Sequence, residues 1–212
     1  MFRSSLNAAV LCVAMTVGVG MARATVVVQP SLEQMTHKSQ VIIHAVVEDQ
    51  SVTLGEGGRI LTLSRLRVKD GVKGVAKAND TVTLYQVGGT KDGRTMSIPG
   101  VNTFTVGEEV IVFGDVFLAQ DTVAFLQTER KTEVPAATLN PSAGWLVTFG
   151  IGLGKYVVAR DGQTPMAVEQ VGDVATAVQG PNGMVIGGRV VRTQQPLGAF
   201  LPEVRRMVRG AP

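Results

Sequence analysis

Residues Gln40–Asp49, with the sequence QVIIHAVVED, decide the fold class of this chain. Every second residue from Val41 to Val47 is apolar, and the residues between are mixed in polarity. A period of two over this length is typical of a β-strand with one fully buried face, and β-branched residues favour that backbone conformation. We therefore predict a long strand here, with His44 half-exposed on the mixed face.

Similar stretches follow along the chain at roughly ten-residue spacing, separated by Gly, Pro, Asp and Asn. They are Arg59–Lys69, Thr81–Val87, Arg94–Ile98, Glu109–Phe117 and Val123–Glu133. Short strands at this spacing, with hardly any helical periodicity between them, favour an antiparallel barrel or sandwich over a sheet of βαβ units. We assign residues 25–135 to a β-barrel domain.

A capping box precedes the first long strand. Ser31 is followed three residues later by Gln34 and comes directly after Pro30. In this pattern the serine and glutamine side chains satisfy free backbone amides at the start of a helix. The sequence therefore predicts a short N-terminal helix that ends near Lys38.

Residues 136–212 are predicted to form a C-terminal β extension and a terminal amphipathic helix that pack on the barrel. The stretch 136–144 has the composition of a connector. The strands predicted after it are Trp145–Phe149, Lys155–Arg160 and Met184–Arg192. Further on, apolar residues fall at helical spacing. Because proline fits best in the first turn of a helix, Pro202 places the predicted helix start near Phe200, and Gly210 ends it.

The first 24 residues have the layout of a secretory signal peptide. Arg3 precedes an uncharged, mostly apolar stretch. Ala22 and Ala24 then supply the small residues of a cleavage site. The strongly apolar part, residues 8–21, is shorter than the roughly 20 residues that span a bilayer. We expect export to the periplasm or the cell exterior, cleavage between Ala24 and Thr25, and no membrane span in the mature chain.

Removal of this leader changes what the composition implies. Cys12 is the one cysteine of the chain and would leave with the leader, which excludes disulfides, cysteine nucleophiles and thiolate metal sites from the mature protein. Of the 20 basic residues two would also leave, and the remaining 18 face 17 acidic residues. A chain this close to neutral has no electrostatic footprint for nucleic acid, so we predict no nucleic-acid partner.

The stretch Phe149–Gly162, FGIGLGKYVVARDG, invites comparison with a phosphate-binding loop. Such a loop needs its glycines to open a helix, and it needs Ser or Thr directly after the lysine. Here Lys155 is followed by Tyr156 and two valines, which favour a strand. We predict a tight turn or bulge in which glycine permits positive φ, and no bound nucleotide or other cofactor.

Residues with catalytic or metal-binding side chains are scattered. His37 falls in the predicted short helix and His44 in a strand, which provides no compact ligand set for zinc. Ser142 lies in a loop without a Gly-x-Ser-x-Gly motif. The adjacent Glu108 and Glu109 would face opposite sides of a strand and mark its polar entry. We predict no catalytic residue and no metal site.

The C-terminal region holds a local excess of positive charge. Arg205, Arg206 and Arg209 alternate with the apolar positions of the predicted helix. This alternation is typical of a solvated helix face. The same three arginines are the candidate partner-binding residues, for a partner with an acidic surface.

Several stretches between residues 30 and 115 follow an order found in a known group of proteins. They are Ser31–Gln34, Ser39–Glu48, Leu66–Gly74, Gly88–Gly89 and Phe104–Phe113. In this order the chain resembles a group of uncharacterised exported bacterial proteins. Their pattern is similar to the oligonucleotide/oligosaccharide-binding (OB) type of barrel in tissue-inhibitor-of-metalloproteinase-like and netrin-like domains. The resemblance implies a closed five-stranded barrel. It does not carry over the inhibitor mechanism, which uses an N-terminal cysteine, because the mature chain would begin at Thr25.

These features predict an exported, non-enzymatic binding or accessory protein that recognises a protein or glycan partner. Two alternatives stay open. One is a protease inhibitor of non-cysteine mechanism, which would use a loop such as Leu54–Gly58 or Thr90–Arg94. The other is a hydrolase whose catalytic residues meet only in space.

Overall fold

A computed structural model of the protein describes residues 26–54, 58–74, 76–117, 145–150, 152–171, 175–180, 183–186 and 193–210. Within these residues the chain is mainly β, as predicted, and contains two helices. The predicted strand Val123–Glu133 and the predicted connector 136–144 lie outside the described residues.

The elements are numbered in chain order. The strands are β1 Val26–Val28, β2 Val41–Leu54, β3 Ile60–Lys73, β4 Thr81–Val87, β5 Gly89–Lys91, β6 Arg94–Met96, β7 Glu109–Phe117, β8 Trp145–Thr148, β9 Lys155–Ala159, β10 Met166–Gln170, β11 Ala175–Gly180, β12 Gly183–Ile186 and β13 Gln194–Pro196. The helices are α1 Leu32–Lys38 and α2 Leu197–Arg209.

Eight strands form one large, curled sheet in the order β13-β10-β9-β7-β2-β3-β4-β8. β8 pairs in parallel with β4 and also pairs antiparallel with β7, so the curl brings the last strand of the sheet back to its middle. Two smaller sheets, β1-β11-β12 and the hairpin β5-β6, contain the other strands. The C-terminal strands β8, β9 and β10 therefore belong to the same sheet as the N-terminal strands.

An apolar core fills the inside of the curl. The predicted apolar parity of β2 points into it, with Val41, Ile43, Ala45 and Val47 all buried. These side chains belong to one cluster with Leu66, Leu84, Val110 and Leu146 from the neighbouring strands. Because each fully buried aliphatic side chain contributes about 1.5–3 kcal/mol relative to an exposed one, this core is a main source of stability.

The outer, mixed face of β2 is buried as well. Ile42 is fully buried, and His44 is 7% exposed, so the prediction of a half-exposed histidine is wrong. Met35 from α1 and both Phe200 and Val204 from α2 join a second apolar cluster on this side of the sheet. A strand pattern alone does not reveal that two helices, distant in sequence, cover the same face.

Helix α1 confirms the predicted capping box. Ser31 Oγ accepts a hydrogen bond from the Gln34 N–H at 3.1 Å, and the Gln34 side chain accepts one from the Ser31 N–H at 3.0 Å. At the other end of the helix, Lys73 Nζ donates to the carbonyl oxygens of Thr36 and His37. Since the last carbonyls of a helix lack partners within it, β3 holds the C-terminus of α1 through this lysine.

Helix α2 starts earlier than predicted. It begins at Leu197, three residues before the predicted start at Phe200, and it contains Pro202. The proline removes one hydrogen bond, to the carbonyl four residues earlier, which lies in the first turn. The Leu197 N–H is meanwhile held by Pro165 O at 2.8 Å. Burial of Phe200 and Val204 against the sheet keeps this first turn helical despite the proline.

The two longest strands extend further than predicted. β2 continues to Leu54 and β3 to Lys73, although the pair Asp70-Gly71 was interpreted as a turn. Their pairing contains register shifts typical of β-bulges. A Cβ on Gly71 would lie 1.9 Å from the carbonyl oxygen of Ala76. This glycine therefore marks a close backbone approach inside a strand, not a chain reversal.

The other predicted strands are present within one or two residues of their predicted ends, except at the C-terminus. β12 covers only the start of the predicted strand Met184–Arg192, and residues 187–192 lie outside the described residues. Among the strands that follow α1, four short ones were not predicted, namely β5, β10, β11 and β13. β10 was missed because Glu169 interrupts its apolar pattern, yet Glu169 is buried and accepts hydrogen bonds from Gln29 Nε2 and the Thr193 N–H, both at 3.1 Å.

Candidate functional site

The inside of the curled sheet changes character along its strands. At one end the strands contribute apolar side chains to the core, among them Leu66, Val82 and Leu84. Further along the same faces, Gln50 lies opposite Ser64, and Thr62 lies opposite Gln86. Because directly opposed residues point to the same side of a sheet, these polar side chains continue the inner face. The interior is therefore apolar at one end and polar at the other.

A cleft of about 330 Å³ opens at the polar end. β2, β3 and β4 form one side, and the hairpin β5–β6 with the segment that follows it forms the other. The lining consists of Gln50, Val52, Thr62 and the stretches 86–90, 96–98 and 101–104, and we name it the amide cleft. None of these side chains carries a charge.

Hydrogen bonds hold the amide side chains of the cleft in place. Gln50 Nε2 donates to Phe104 O at 2.8 Å. Gln86 Nε2 donates to Asn102 O, and Asn102 Nδ2 in turn donates to Gly152 O. Since each internal hydrogen bond contributes about 0.5–1.5 kcal/mol, this series of hydrogen bonds fixes the segment 102–104 against both the strands of the curled sheet and the glycine-rich turn. The cleft is therefore formed before any ligand arrives.

The glycine–lysine stretch packs against the segment that forms this wall of the cleft. A Cβ on Gly152 would lie 1.7 Å from Gly100 O, so only glycine allows the two backbones to pack. Lys155 Nζ donates to Thr103 O at 2.6 Å. β9 begins at Lys155, which confirms the prediction of a strand after the glycines, and Gly150 has the predicted positive φ, of 58°.

Lys155 supports the wall of the cleft from inside the protein. Its side chain is buried, its Nζ lies 2.7 Å from a carboxylate oxygen of Glu108, and it stands 4.5 Å from the centre of the Phe104 ring. Burial lowers the pKa of Lys155, and the ion pair with Glu108 opposes that shift. The ammonium group is thus engaged by the carboxylate, the Thr103 carbonyl and the ring, and it stiffens the wall of the amide cleft.

Two glycines turn the chain from β4 into the hairpin at the edge of the cleft. Gly88 and Gly89 have φ of 118° and 128°, a region that favours glycine. A Cβ on Gly89 would lie 2.4 Å from Thr62 Oγ1, and the Thr62 hydroxyl donates to Gly88 O at 2.6 Å. The hairpin wall is therefore attached directly to β3.

The structure places one of the two candidate inhibitory loops beside this cleft. Thr90–Arg94 is the exposed turn of the β5–β6 hairpin, where Asp92 and Gly93 both have positive φ. Such a pair is typical of a tight hairpin turn. The other loop, Leu54–Gly58, lies partly outside the described residues.

A charged network lies on the opposite, outer face of the sheet. Glu109 Oε1 accepts from His44 Nε2 at 2.7 Å, from Lys69 Nζ at 2.8 Å and from Arg160 Nη2 at 2.9 Å. Burial on its own would raise the pKa of Glu109, but the hydrogen bonds from Arg160, Lys69 and His44 outweigh it and lower the pKa to about 2. Glu108 and Glu109 thus face opposite sides of the sheet, as predicted.

The structure does not bring the remaining predicted site residues together. His37 lies on α1, where its Nε2 is 3.8 Å from a carboxylate oxygen of Glu33. His44 lies on β2 and contacts Glu109 on β7. Arg205 pairs with Asp70, while Arg206 and Arg209 are exposed on α2. Ser142 and the predicted cleavage residues Ala24 and Thr25 lie outside the described residues.

In the part of the chain that the structure describes, no three or more His, Cys, Asp or Glu side chains gather in a group that could hold a metal ion. Neither of the two helices in that part is long and apolar enough to cross a membrane. In comparisons with known proteins, no family model matches the chain, and no curated protein is significantly similar to it.

Sequence reasoning missed the residues of the amide cleft. A signal is present in β4, where Val82, Leu84 and Gln86 share one parity. A polar amide that follows apolar residues on the same face of a strand, with two glycines soon after it, indicates the place where the apolar core ends and an open cleft begins. Asn102 carried no signal of this kind, since it lies outside the strands and meets its partners only in the folded chain.

Proposed function

We propose that the protein is an exported, non-enzymatic binding protein whose recognition site is the amide cleft. The observation that carries this proposal is a pre-formed cleft of about 330 Å³ with an entirely uncharged lining. That volume is at the lower end of the range for small-ligand sites. Its partner therefore inserts a small, uncharged part of a protein or a glycan. Nucleic acid does not fit, because its phosphates require cationic contacts.

We further propose that five strands of the curled sheet form an OB-type barrel around the apolar core. The pairing order supports this proposal, since β2, β3, β4, β8 and β7 each pair with the next and β7 pairs again with β2. The parallel pairing of β4 with β8 is the exception among antiparallel neighbours. In OB barrels, ligands bind on one side of the barrel and on adjoining loops, and the amide cleft lies at such a rim.

Export is the third part of the proposal, and it rests on the N-terminal leader. The mature protein would begin at Thr25 and act in the periplasm or outside the cell. The resemblance to exported bacterial proteins agrees with this compartment. Fractionation of the source cells, with sequencing of the mature N-terminus, tests it: an intact leader on a cytoplasmic protein would contradict it.

Capture of the partner tests the recognition site. The exposed Ser97 lines the cleft, so Ser97→Trp should fill it. Ser51 is also exposed but alternates with the lining residues Gln50 and Val52, so Ser51→Trp places the same bulk on the other side of β2. Immobilised wild type and Ser51→Trp should recover the same partner from envelope extract, and Ser97→Trp should not. Equal recovery by both variants would contradict the proposal.

A further inference from the structure

We infer that the amide cleft binds an extended peptide segment that presents one aliphatic side chain and no charge. This inference rests on the proposed function and names the ligand class of the same site. Three features of the lining lead to it: its aliphatic walls, its amide oxygens and its covered aromatic ring.

The walls are aliphatic on both sides of the cleft. Val52 comes from β2, whereas Met96, Ile98 and Val101 come from the hairpin and the segment after it. Ile98 is 37% exposed, so a ligand in the cleft can contact its side chain. Methionine is flexible and adapts its shape to a guest side chain. Such walls select an aliphatic group and disfavour a charged one, which would lose its hydration without gaining a partner.

The polar groups of the cleft offer acceptors. The side-chain amides of Gln50, Gln86 and Asn102 use their NH2 groups to donate to other parts of the protein. Their carbonyl oxygens accept no hydrogen bond from any other residue that the structure describes. A guest with N–H donors, such as a peptide main chain, complements these oxygens.

The aromatic ring of the cleft is not free to stack on a sugar. Phe104 is the one aromatic residue among the described lining residues, and it is 5% exposed. One face of its ring is occupied by Lys155 Nζ at 4.5 Å. Because sugar rings are commonly held against open aromatic faces, this lining favours a peptide over a glycan. An extended peptide also matches the alternation of side chains and main-chain groups along the strands that form the cleft.

Titration of the ¹⁵N-labelled mature protein tests the inference. The probes are the blocked peptide acetyl-Gly-Ser-Val-Ser-Gly-amide, the same peptide with Glu, Lys or Gly in place of Val, and chitotetraose. The valine peptide should shift the backbone amide signals of Gly88, Gly89 and Thr103 in a saturable manner. It should bind at least tenfold more tightly than its Glu, Lys and Gly versions, and chitotetraose should cause no shift there.

Two variants provide the matched control. Ile98→Asp places a charge at the cleft mouth and should weaken binding of the valine peptide at least tenfold. Val106→Asp makes the same change at an exposed valine, 54% accessible, that does not line the cleft, and it should leave binding unchanged. Since both positions are exposed, both variants should fold.

The outcomes separate the inference from the proposed function. Binding of chitotetraose at these amides, or equal binding of the Val, Glu and Lys peptides, would overturn the peptide inference and leave the cleft as the recognition site. Absence of any peptide shift, together with loss of partner capture by Ser97→Trp, would do the same. Absence of both effects would overturn the inference and the proposed function together.

Discussion

The two ends of the curled sheet are made by the same strands but are filled differently. At the core end Leu66 and Leu84 are completely buried among aliphatic side chains. Two residues further along each strand, Ser64 and Gln86 occupy the same face and point to amides and carbonyls. One end therefore holds the fold together, and the other presents an uncharged, hydrogen-bonded cleft, which is the recognition site that we propose.

The largest expected effect is a loss of stability from a substitution at the core end of the sheet. Leu84→Ala removes a fully buried side chain from the middle of the apolar core and should cost about 4 kcal/mol of unfolding free energy. Denaturant unfolding followed by circular dichroism measures this loss. Tyr85→Ala, next in sequence but partly exposed, is the control and should cost less. A loss below 1 kcal/mol for Leu84→Ala would mean that this end is not the stabilising core.

The next effect tests the link between the two ends. Lys155→Met leaves Glu108 without its cation and releases the Thr103 carbonyl. Breaking a buried pair from one side costs about 3–5 kcal/mol, and the lower value is expected because Glu108 is 19% exposed. The double variant Lys155→Met/Glu108→Gln should recover part of this loss in the same denaturation assay. No recovery would show that the ion pair does not act as a unit.

A smaller effect is expected at the polar end. Gln86→Leu keeps the volume of the side chain but leaves the Asn102 carbonyl without its donor, which should cost about 1–2 kcal/mol. The segment that Gln86 holds should also become more mobile, so the amount of partner captured should fall. Hydrogen exchange of the Thr103 and Phe104 amides reports the loosening. Unchanged exchange would contradict the role of Gln86 in fixing the cleft wall.

The smallest expected effect is a change of stability with pH, and it comes from Glu109 on the outer face of the sheet. The pKa of Glu109 is lowered from 4.5 to about 2 in the folded protein. Its stabilising contribution is therefore complete above about pH 4.5 and is lost as the pH falls toward 2. Lys69 is about half exposed, so its pair with Glu109 contributes about 0.2–1 kcal/mol. Arg160 also pairs with Glu109, but from a solvent-exposed position where water and salt screen the interaction.

Comparison of wild type with Glu109→Gln isolates this contribution. Stability of the wild type should fall more steeply than that of Glu109→Gln between pH 4.5 and 2, and added salt should reduce the difference. Thermal unfolding at several pH values measures both trends. Parallel curves for the two proteins would contradict the assigned network of His44, Lys69 and Arg160.

Local patterns predicted much of the fold. The alternation in Gln40–Asp49, the capping box at Ser31 and the strand after Lys155 all depend on neighbouring residues, and the structure confirms them. What the sequence did not reveal depends on contacts between distant residues. The burial of His44 and the strand character of Asp70-Gly71 both arise from tertiary packing.

The candidate site was harder to predict than the fold. The segment around Asn102 meets Gly152, 50 positions away, only when the sheet has curled. The glycine–lysine stretch resembles a phosphate-binding loop in composition, yet Gly152 allows close backbone packing against this segment. A pattern read along the chain identifies such glycines as special, but it does not identify the surface that they approach.

The most direct test of the account is the amount of one partner captured by Ser97→Trp relative to Ser51→Trp at equal protein loading. We predict at least a tenfold deficit for the variant that fills the amide cleft, with identical thermal unfolding of the two proteins. Equal capture by the two variants would place recognition elsewhere on the molecule.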